Sequence, residues 1–210
     1  MTTPFDNLTN NQKEKLYKRL GTHIYLYTRD EEILSTLKGG NIIGIILSGH
    51  AQICNIEYNG NVIIREDLYK DDIFGTNISA THFEDHIIMA KEATTILLID
   101  YNNLVKPSNL VYKYYNTFLY NLFDIINEKF LKANERIKVL EEKQIRNRII
   151  MYFKILYSKT NNKVITLPFS RKKFADYLAV NRTALLRELK SLKDEHLIEI
   201  KGREITLMYI

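Results

Sequence analysis

The sequence predicts an α+β chain: an N-terminal antiparallel β-roll, one long helix, and a C-terminal winged helix-turn-helix. Three observations carry this. Between His23 and Asp100, short runs rich in Ile, Val, Tyr and Thr recur at near-regular spacing, with turn residues between them. From Ser108 to about Tyr157 there is neither Gly nor Pro, and the apolar spacing changes from two to helical. Beyond Pro168, two short amphipathic helices are followed by a hairpin with a glycine turn. These divisions place a roll at 1–107, a long helix at 108–141 and a final domain at 142–210, with a hinge near 141–144.

Taken in order, residues 10–20 read as a polar helix with Leu16, Tyr17 and Leu20 inward. The strand-like runs are Ile24–Tyr27, Ile42–Leu47, Gln52–Tyr58, Val62–Leu68, Ile87–Ala90 and Thr94–Ile99. Gly39-Gly40-Asn41, Ser48-Gly49, Asn59-Gly60-Asn61 and Lys70-Asp71-Asp72 punctuate them, and Asn59-Gly60 between two such runs is a hairpin signal. Many short strands of this kind argue for an antiparallel barrel or roll.

In the long helix, Leu119, Phe123, Ile126, Phe130, Ala133, Ile137 and Leu140 step by alternating fours and threes, the a/d seam of a coiled coil. Such a seam can pack against the chain's own strands. The charges around it (Glu128, Lys129, Lys132, Arg136) favour a partner helix, most simply the same helix of a second copy. The seam lapses through Glu141–Gln144, and a new pattern begins at Ile145, Ile149, Phe153 and Leu156.

After the turn at 159–163, Val164–Leu167 suggests a short strand and Pro168 a stop. Ser170 is an N-cap candidate for a helix whose apolar stripe is Phe174, Ala175 and Leu178. Asn181 is an N-cap candidate for a second, with Leu185, Leu189 and Leu192 inward. Arg182, Thr183, Leu186 and Arg187 are left off that stripe, at the end of the helix that a helix-turn-helix protein pushes into the major groove. On spacing alone the pair fits equally an ordinary helical hairpin with a basic, solvated face. The hairpin Leu197–Lys201, Gly202-Arg203, Glu204–Met208 makes the unit a winged helix.

Charge supports this division. Residues 142–210 hold 15 Lys/Arg against 7 Asp/Glu, a balance of +8, whereas residues 1–141 hold 15 against 18, a balance of −3. Only the C-terminal part is suited to a polyanion. A single cysteine, Cys54, excludes an intramolecular disulfide framework and a multi-cysteine metal site. No apolar run approaches the ~18 residues of a membrane span, and the first residues lack a signal-peptide layout, so a soluble, cytoplasmic chain is expected. No nucleophile–base pair or paired carboxylates stand out, so catalysis is not expected.

With these pieces in order, the chain resembles the cyclic-AMP receptor and fumarate–nitrate regulator (Crp/Fnr) family over nearly its whole length. The strongest likeness is the segment from Phe174 to Glu199, with Asn181-Arg182 opening the second helix and a Leu-Ile strand leading into the wing. Leu47-Ser-Gly49 and Asp72-Ile-Phe-Gly75 are similar to the family's two glycine-marked turns. The resemblance implies a cyclic-nucleotide-binding-like roll of jelly-roll type, a dimerisation helix, and a homodimeric transcription regulator. Its partners would be double-stranded DNA carrying an inverted-repeat operator, a second copy, and RNA polymerase as a further candidate; no membrane is involved.

On the matched positions, Arg182 would offer a donor fork to guanine O6 and N7, worth about 1–3 kcal/mol of discrimination. Arg187 would read a base or clamp a phosphate. Thr183 stands where relatives often carry an acidic residue, and Leu186 would meet a thymine methyl. Ser170, Arg171 and Asn181 match phosphate-holding positions, which set register rather than sequence. Lys172, Lys173 and Lys190 are general electrostatics.

The effector region departs from the family. Cyclic-nucleotide binders place a glutamate after the Phe-Gly turn and later an arginine; here Thr76 follows Phe74-Gly75, and residues 77–86 contain no Arg or Lys. Glu84 and Asp85 would repel a phosphodiester. Cyclic AMP in the usual mode is therefore not expected, nor is an iron–sulfur cluster, which needs several cysteines. No cofactor is predicted, and a small-molecule effector is left open. His82 and His86 form an i, i+4 pair without further ligands, read as loop histidines rather than a metal site. Cys54 is expected as a small buried hydrophobe. The alternative to a DNA-binding regulator is a ligand-binding or adaptor dimer of the same fold that has lost DNA recognition.

Overall fold

The computed structural model describes residues 2–35, 41–56, 62–75, 86–168 and 170–209. Its contacts divide the chain into two compact units, Met1–Asn127 and Glu128–Ile210. Each is taken by itself below.

The first unit opens with α1 (Asn10–Leu20). Thr9 caps it in a reciprocal box with Gln12, and Gly21 closes it in the left-handed conformation. Leu16 and Leu20 are fully buried and Tyr17 packs beside them. Among the described residues, eight strands follow: β1 (His23–Tyr27), β2 (Glu32–Ser35), β3 (Ile42–Ser48), β4 (His50–Ile56), β5 (Val62–Tyr69), β6 (Ile73–Gly75), β7 (His86–Ala90) and β8 (Thr94–Asp100). They form two four-stranded antiparallel sheets, in the orders β1-β8-β3-β6 and β2-β7-β4-β5. This is the antiparallel roll expected from the spacing of the runs.

The side chains of the first sheet alternate between two cores. Ile46, Phe74 and Ile96 face the second sheet, where Ala51, Ile53 and Ile88 meet them. Ile43, Ile45, Ile73 and Ile99 face the helices instead. Gly44 exists for Phe74: a Cβ there would lie 2.1 Å from the ring. The Ser48-Gly49-His50 corner turns on Gly49, whose φ of +92° and whose contact with the Ala93 carbonyl admit no side chain.

Two strands escaped the sequence reading. β2 holds a glutamate and a serine in four residues, and β6 is three residues long, so neither shows a period. The tract 70–72 does turn: Asp71 is left-handed, and the Asp72 carboxylate accepts from the Tyr69 N–H at 2.8 Å. Asn59-Gly60 lies outside the described residues, but the strands flanking it pair, Ile56 with Val62. Gly39, Gly40, Thr76, His82, Glu84 and Asp85 also lie outside them, and His86, whose side chain is not described, begins β7. Cys54 is buried as expected, and burial pushes its thiol pKa up, which disfavours the thiolate.

After β8 come α2 (Tyr101–Leu104), a 3-10 turn (Pro107–Asn109) and α3 (Lys113–Glu141). Tyr115, Phe118, Leu122 and Ile125 of α3 close the helix-facing core. The Tyr115 hydroxyl donates to the Leu104 carbonyl, and Asn121 Nδ2 donates to the Pro4 and Asp6 carbonyls at 3.2 and 2.9 Å.

The second unit contains the last turns of α3, then α4 (Ile145–Thr160), β9 (Val164–Thr166), α5 (Arg171–Tyr177), α6 (Arg182–Asp194), β10 (Ile198–Lys201) and β11 (Glu204–Leu207). Helix α3 stops at Glu141 and α4 starts after an extended Gln144, the interruption read at 141–144. The three strands pair antiparallel in the order β10-β11-β9. Phe153, Phe174, Leu178, Leu185, Leu189, Leu192 and Ile205 make the core, and Val139 of α3 is fully buried in it. Among the described residues, no helix is long and apolar enough to cross a membrane.

Candidate nucleic-acid interface

Both short helices begin with the caps the sequence shows. The Ser170 hydroxyl accepts from the Lys173 N–H at 3.3 Å, and Asn181 Oδ1 accepts from the Thr183 N–H at 2.8 Å. The turn between them passes through Ala179 with φ of 52°, a left-handed residue that is not glycine. The Val180 N–H reaches back to the Ala175 carbonyl at 3.0 Å, closing the turn.

Helix α6 is then oriented by its apolar stripe. Leu185, Leu189 and Leu192 are 0–3% exposed, so at 100° per residue the opposite side faces water. Thr183, Leu186 and Arg187 lie away from the stripe, with Leu186 at 42%, and Arg182, three residues before Leu185 and near the stripe's edge, is exposed as the first residue of the helix. Lys190, one turn beyond Leu186, joins the same face. The guanidinium groups of Arg182 and Arg187 have no hydrogen-bond or ion-pair partner among the described residues. The helix presents them beside its capped N-terminus, the positive end of its dipole.

The three phosphate candidates separate. Ser170 and Asn181 are exposed, and as caps they use an acceptor oxygen, leaving the hydroxyl proton and the amide NH2 available. Arg171 is different. Its Nη2 donates to the Gly202 carbonyl at 3.0 Å, its Nη1 is buried without a partner among the described residues, and burial lowers its pKa. It fastens the wing turn to the start of α5 rather than reaching outward. The Leu167 N–H adds a second tie, to the Arg203 carbonyl at 2.9 Å.

The wing turn is Gly202-Arg203, with Lys201 opposite Glu204 and Gly202 at φ of 62°. Lys201 and Arg203 are exposed at its tip. Neither was singled out by the sequence reading, although a Gly-Arg turn in a basic domain is the signal that would have found them.

Three more arginines hold the two helices from behind. Arg136 of α3 donates to the Tyr177 carbonyl at 3.2 Å and lies over the Tyr177 ring. Arg148 of α4 bridges the Glu142 carbonyl at 2.8 Å and the Leu178 carbonyl at 3.0 Å. Arg146 grips the Glu195 carboxylate with both terminal nitrogens, one contact at 2.6 Å. That pair, helped by Ser191, lowers the Glu195 pKa to about 2. Lys159 pairs with Glu135 at 2.7 Å. Part of the domain's positive charge is therefore committed internally, whereas Arg182, Arg187 and Lys190 of α6 and Lys201 and Arg203 of the wing are exposed, as are Lys172 and Lys173 of α5.

The seam of α3 lies bare along most of its length. Phe123 is 68% exposed, Phe130 61% and Ile137 53%; Ile126 and Ala133 are also exposed, while Leu119 and Leu140 are half-buried. Of the seven, Leu119 packs against the helix-facing core of the first unit.

Residues 147–209 match the Crp-like helix-turn-helix domain family. No curated protein sequence matches the chain significantly. Among solved structures, a variant of CprK complexed with OCPA superposes with a TM-score of 0.66 at 18% identity, covering 93% of this chain and 89% of the other. A CooA mutant from Carboxydothermus hydrogenoformans gives 0.58 at 20%, with 96% and 87% covered. The Thermus thermophilus catabolite activator protein gives 0.53 at 15%, with 97% and 92% covered. At these identities the likeness is one of fold.

Proposed function

Given a chain with the Crp/Fnr regulator fold that ends in a Crp-like helix-turn-helix DNA-binding domain, we propose that it acts as a homodimeric, sequence-specific transcription regulator. The observation that carries this is the exposed part of α6, where Arg182 at its capped start and Arg187 farther along have no hydrogen-bond or ion-pair partner among the described residues. In this reading Arg182, Thr183, Leu186 and Arg187 read bases. Ser170, Asn181 and the wing residues Lys201 and Arg203 hold phosphates. Arg171 is reassigned from phosphate contact to wing support, because its guanidinium is already engaged.

The exposed apolar seam supports pairing with a second α3, since Phe123, Phe130 and Ile137 otherwise leave large apolar area in water. A two-fold dimer places two α6 helices on successive major-groove faces, about 34–36 Å apart, and so calls for an inverted repeat. A small-molecule effector then biases the arrangement of the reading domains by binding one arrangement better than another. CprK, solved with OCPA, supports the view that this fold accommodates such a molecule. Cyclic AMP in the usual mode and an iron–sulfur cluster are not the effectors proposed, and RNA polymerase is the further partner through which transcription would respond.

The test is selection of bound sequences from random double-stranded DNA, with fluorescence anisotropy on the enriched pool. An inverted repeat with half-sites about 10 base pairs apart is expected, with affinity falling steeply as salt rises. Absence of any enriched repeat, with and without cell extract, would favour the adaptor reading.

A further inference from the structure

The first unit holds a cavity of about 900 Å³ that the DNA reading does not use. It lies on the helix-covered side of the sheet β1-β8-β3-β6, where Ile43 and Ile73 form its floor. Phe74, the next residue, faces the space between the two sheets, so the cavity is on the opposite side of β6 from the roll interior. Leu104, Val105 and Leu110 make one wall. The other is the first half of α3, including Leu119, Phe123 and Ile126. Its volume falls within the range of small-molecule sites, about 300–1,000 Å³.

The lining is mainly apolar, with Asn116 and two tyrosines among it, and carries one formal charge among the described residues. Lys106 is exposed at the rim, and among the described residues no aspartate or glutamate lines the cavity. Its ammonium donates to Asn103 Oδ1 at 2.6 Å, which fixes it in place and leaves two further donors. A cation would meet Lys106 with no carboxylate among the described lining to offset it, and a fully apolar ligand would leave Lys106 unused. We propose that this cavity binds an amphipathic carboxylate, its apolar body against Ile43, Ile73 and Leu122 and its carboxylate on Lys106.

The site also touches regulation. Leu119, Phe123 and Ile126 are at once cavity wall and seam, so occupancy and helix pairing are linked, and each alters the other by the same factor. That consequence rests on the regulator reading; the binding itself does not.

The test uses the full-length chain without DNA. Isothermal titration compares decanoate, decanol and decyltrimethylammonium at a concentration where sedimentation velocity shows a dimer. One decanoate per chain is expected, at least ten-fold tighter than the ammonium. Lys106→Glu should weaken decanoate about ten-fold and leave decanol unchanged, the scale of one charge-assisted contact. Val105→Trp, at a half-exposed position whose replacement spares the core, should fill the groove and abolish uptake. Decanoate should also shift the monomer–dimer balance. Equal binding of the ammonium, full uptake by a folded Val105→Trp variant, or uptake only by monomer would overturn the proposal; the last would mean that the second copy fills the groove. A failed DNA selection leaves these titrations unaffected, so the two readings fail separately.

Discussion

Helices α5 and α6 begin with the same two-residue pattern, a polar cap followed by arginine: Ser170-Arg171 and Asn181-Arg182. The caps behave alike, each accepting a backbone N–H of its first turn. The arginines do not. Arg171 is half-buried and spends a donor on the wing carbonyl of Gly202, whereas Arg182 stands in water without a partner among the described residues. Whether an arginine is available to DNA is thus decided by what the fold brings to it. For Arg171 that neighbour is a turn thirty-one positions along the chain.

The largest effect should come from Arg182→Ala. It should relax preference at one base position in each half-site, at about 1–3 kcal/mol per half-site, without altering thermal stability. Unchanged specificity in the selection experiment would end its reading role. Arg171→Ala should do the reverse. We expect a stability loss of about 1 kcal/mol from the missing hydrogen bond and faster hydrogen exchange at the wing turn. The dependence of log affinity on log salt should keep its slope. A phosphate contact would instead lower that slope by about 0.9, and such a drop would erase the contrast between the two arginines.

The turn between the two caps offers a smaller test. Ala179 is left-handed at φ of 52°, where a Cβ is unfavourable by about 1–2 kcal/mol. After glycine's entropic cost, Ala179→Gly should stabilise by about 0.5 kcal/mol, a rise in melting temperature of roughly 1–2 °C. A lower melting temperature would mean that the methyl group contributes contacts of its own.

The smallest effect concerns Arg146, an arginine committed on the surface. Its partner Glu195 has its pKa lowered from 4.5 to about 2 in the folded chain. A carboxyl depressed by folding contributes stability above its ordinary pKa and loses it as pH falls toward the folded value. The melting-temperature gap between wild type and Glu195→Gln should therefore be open at neutral pH and close between pH 4.5 and about 2. A gap constant with pH would show that the ion pair is not its source.

Much of this architecture was legible because it is periodic or local. The seam residues, the Leu185–Leu189–Leu192 stripe, the caps at Ser170 and Asn181, and the glycine turn of the wing each announce themselves within one or two helical turns. What was not legible depends on distant backbone. Arg136, Arg146 and Arg148 look like surface charge in the sequence, yet two of them donate to carbonyls at the end of α5 and the third holds the end of α6. Strands β2 and β6 were missed because four and three residues cannot display a period; pairing with β7 and β3 defines them. The cavity beside α3 was invisible for the same reason, being assembled from strands, a turn and a helix whose residues show no common motif.

The burial of Val139 among the residues of the reading domain has a consequence for how such chains can be recombined. The recognisable helix-turn-helix region starts at residue 147, but the body that folds with it starts near Glu128. A splice at the start of the recognisable region would leave behind Val139, which fills the core, and Arg136, which holds the end of α5. A splice ahead of Glu128 would carry both along. The last turns of the long helix thus pack with the helix-turn-helix unit and not with the roll, and an engineered exchange of N-terminal units between such chains should respect that border.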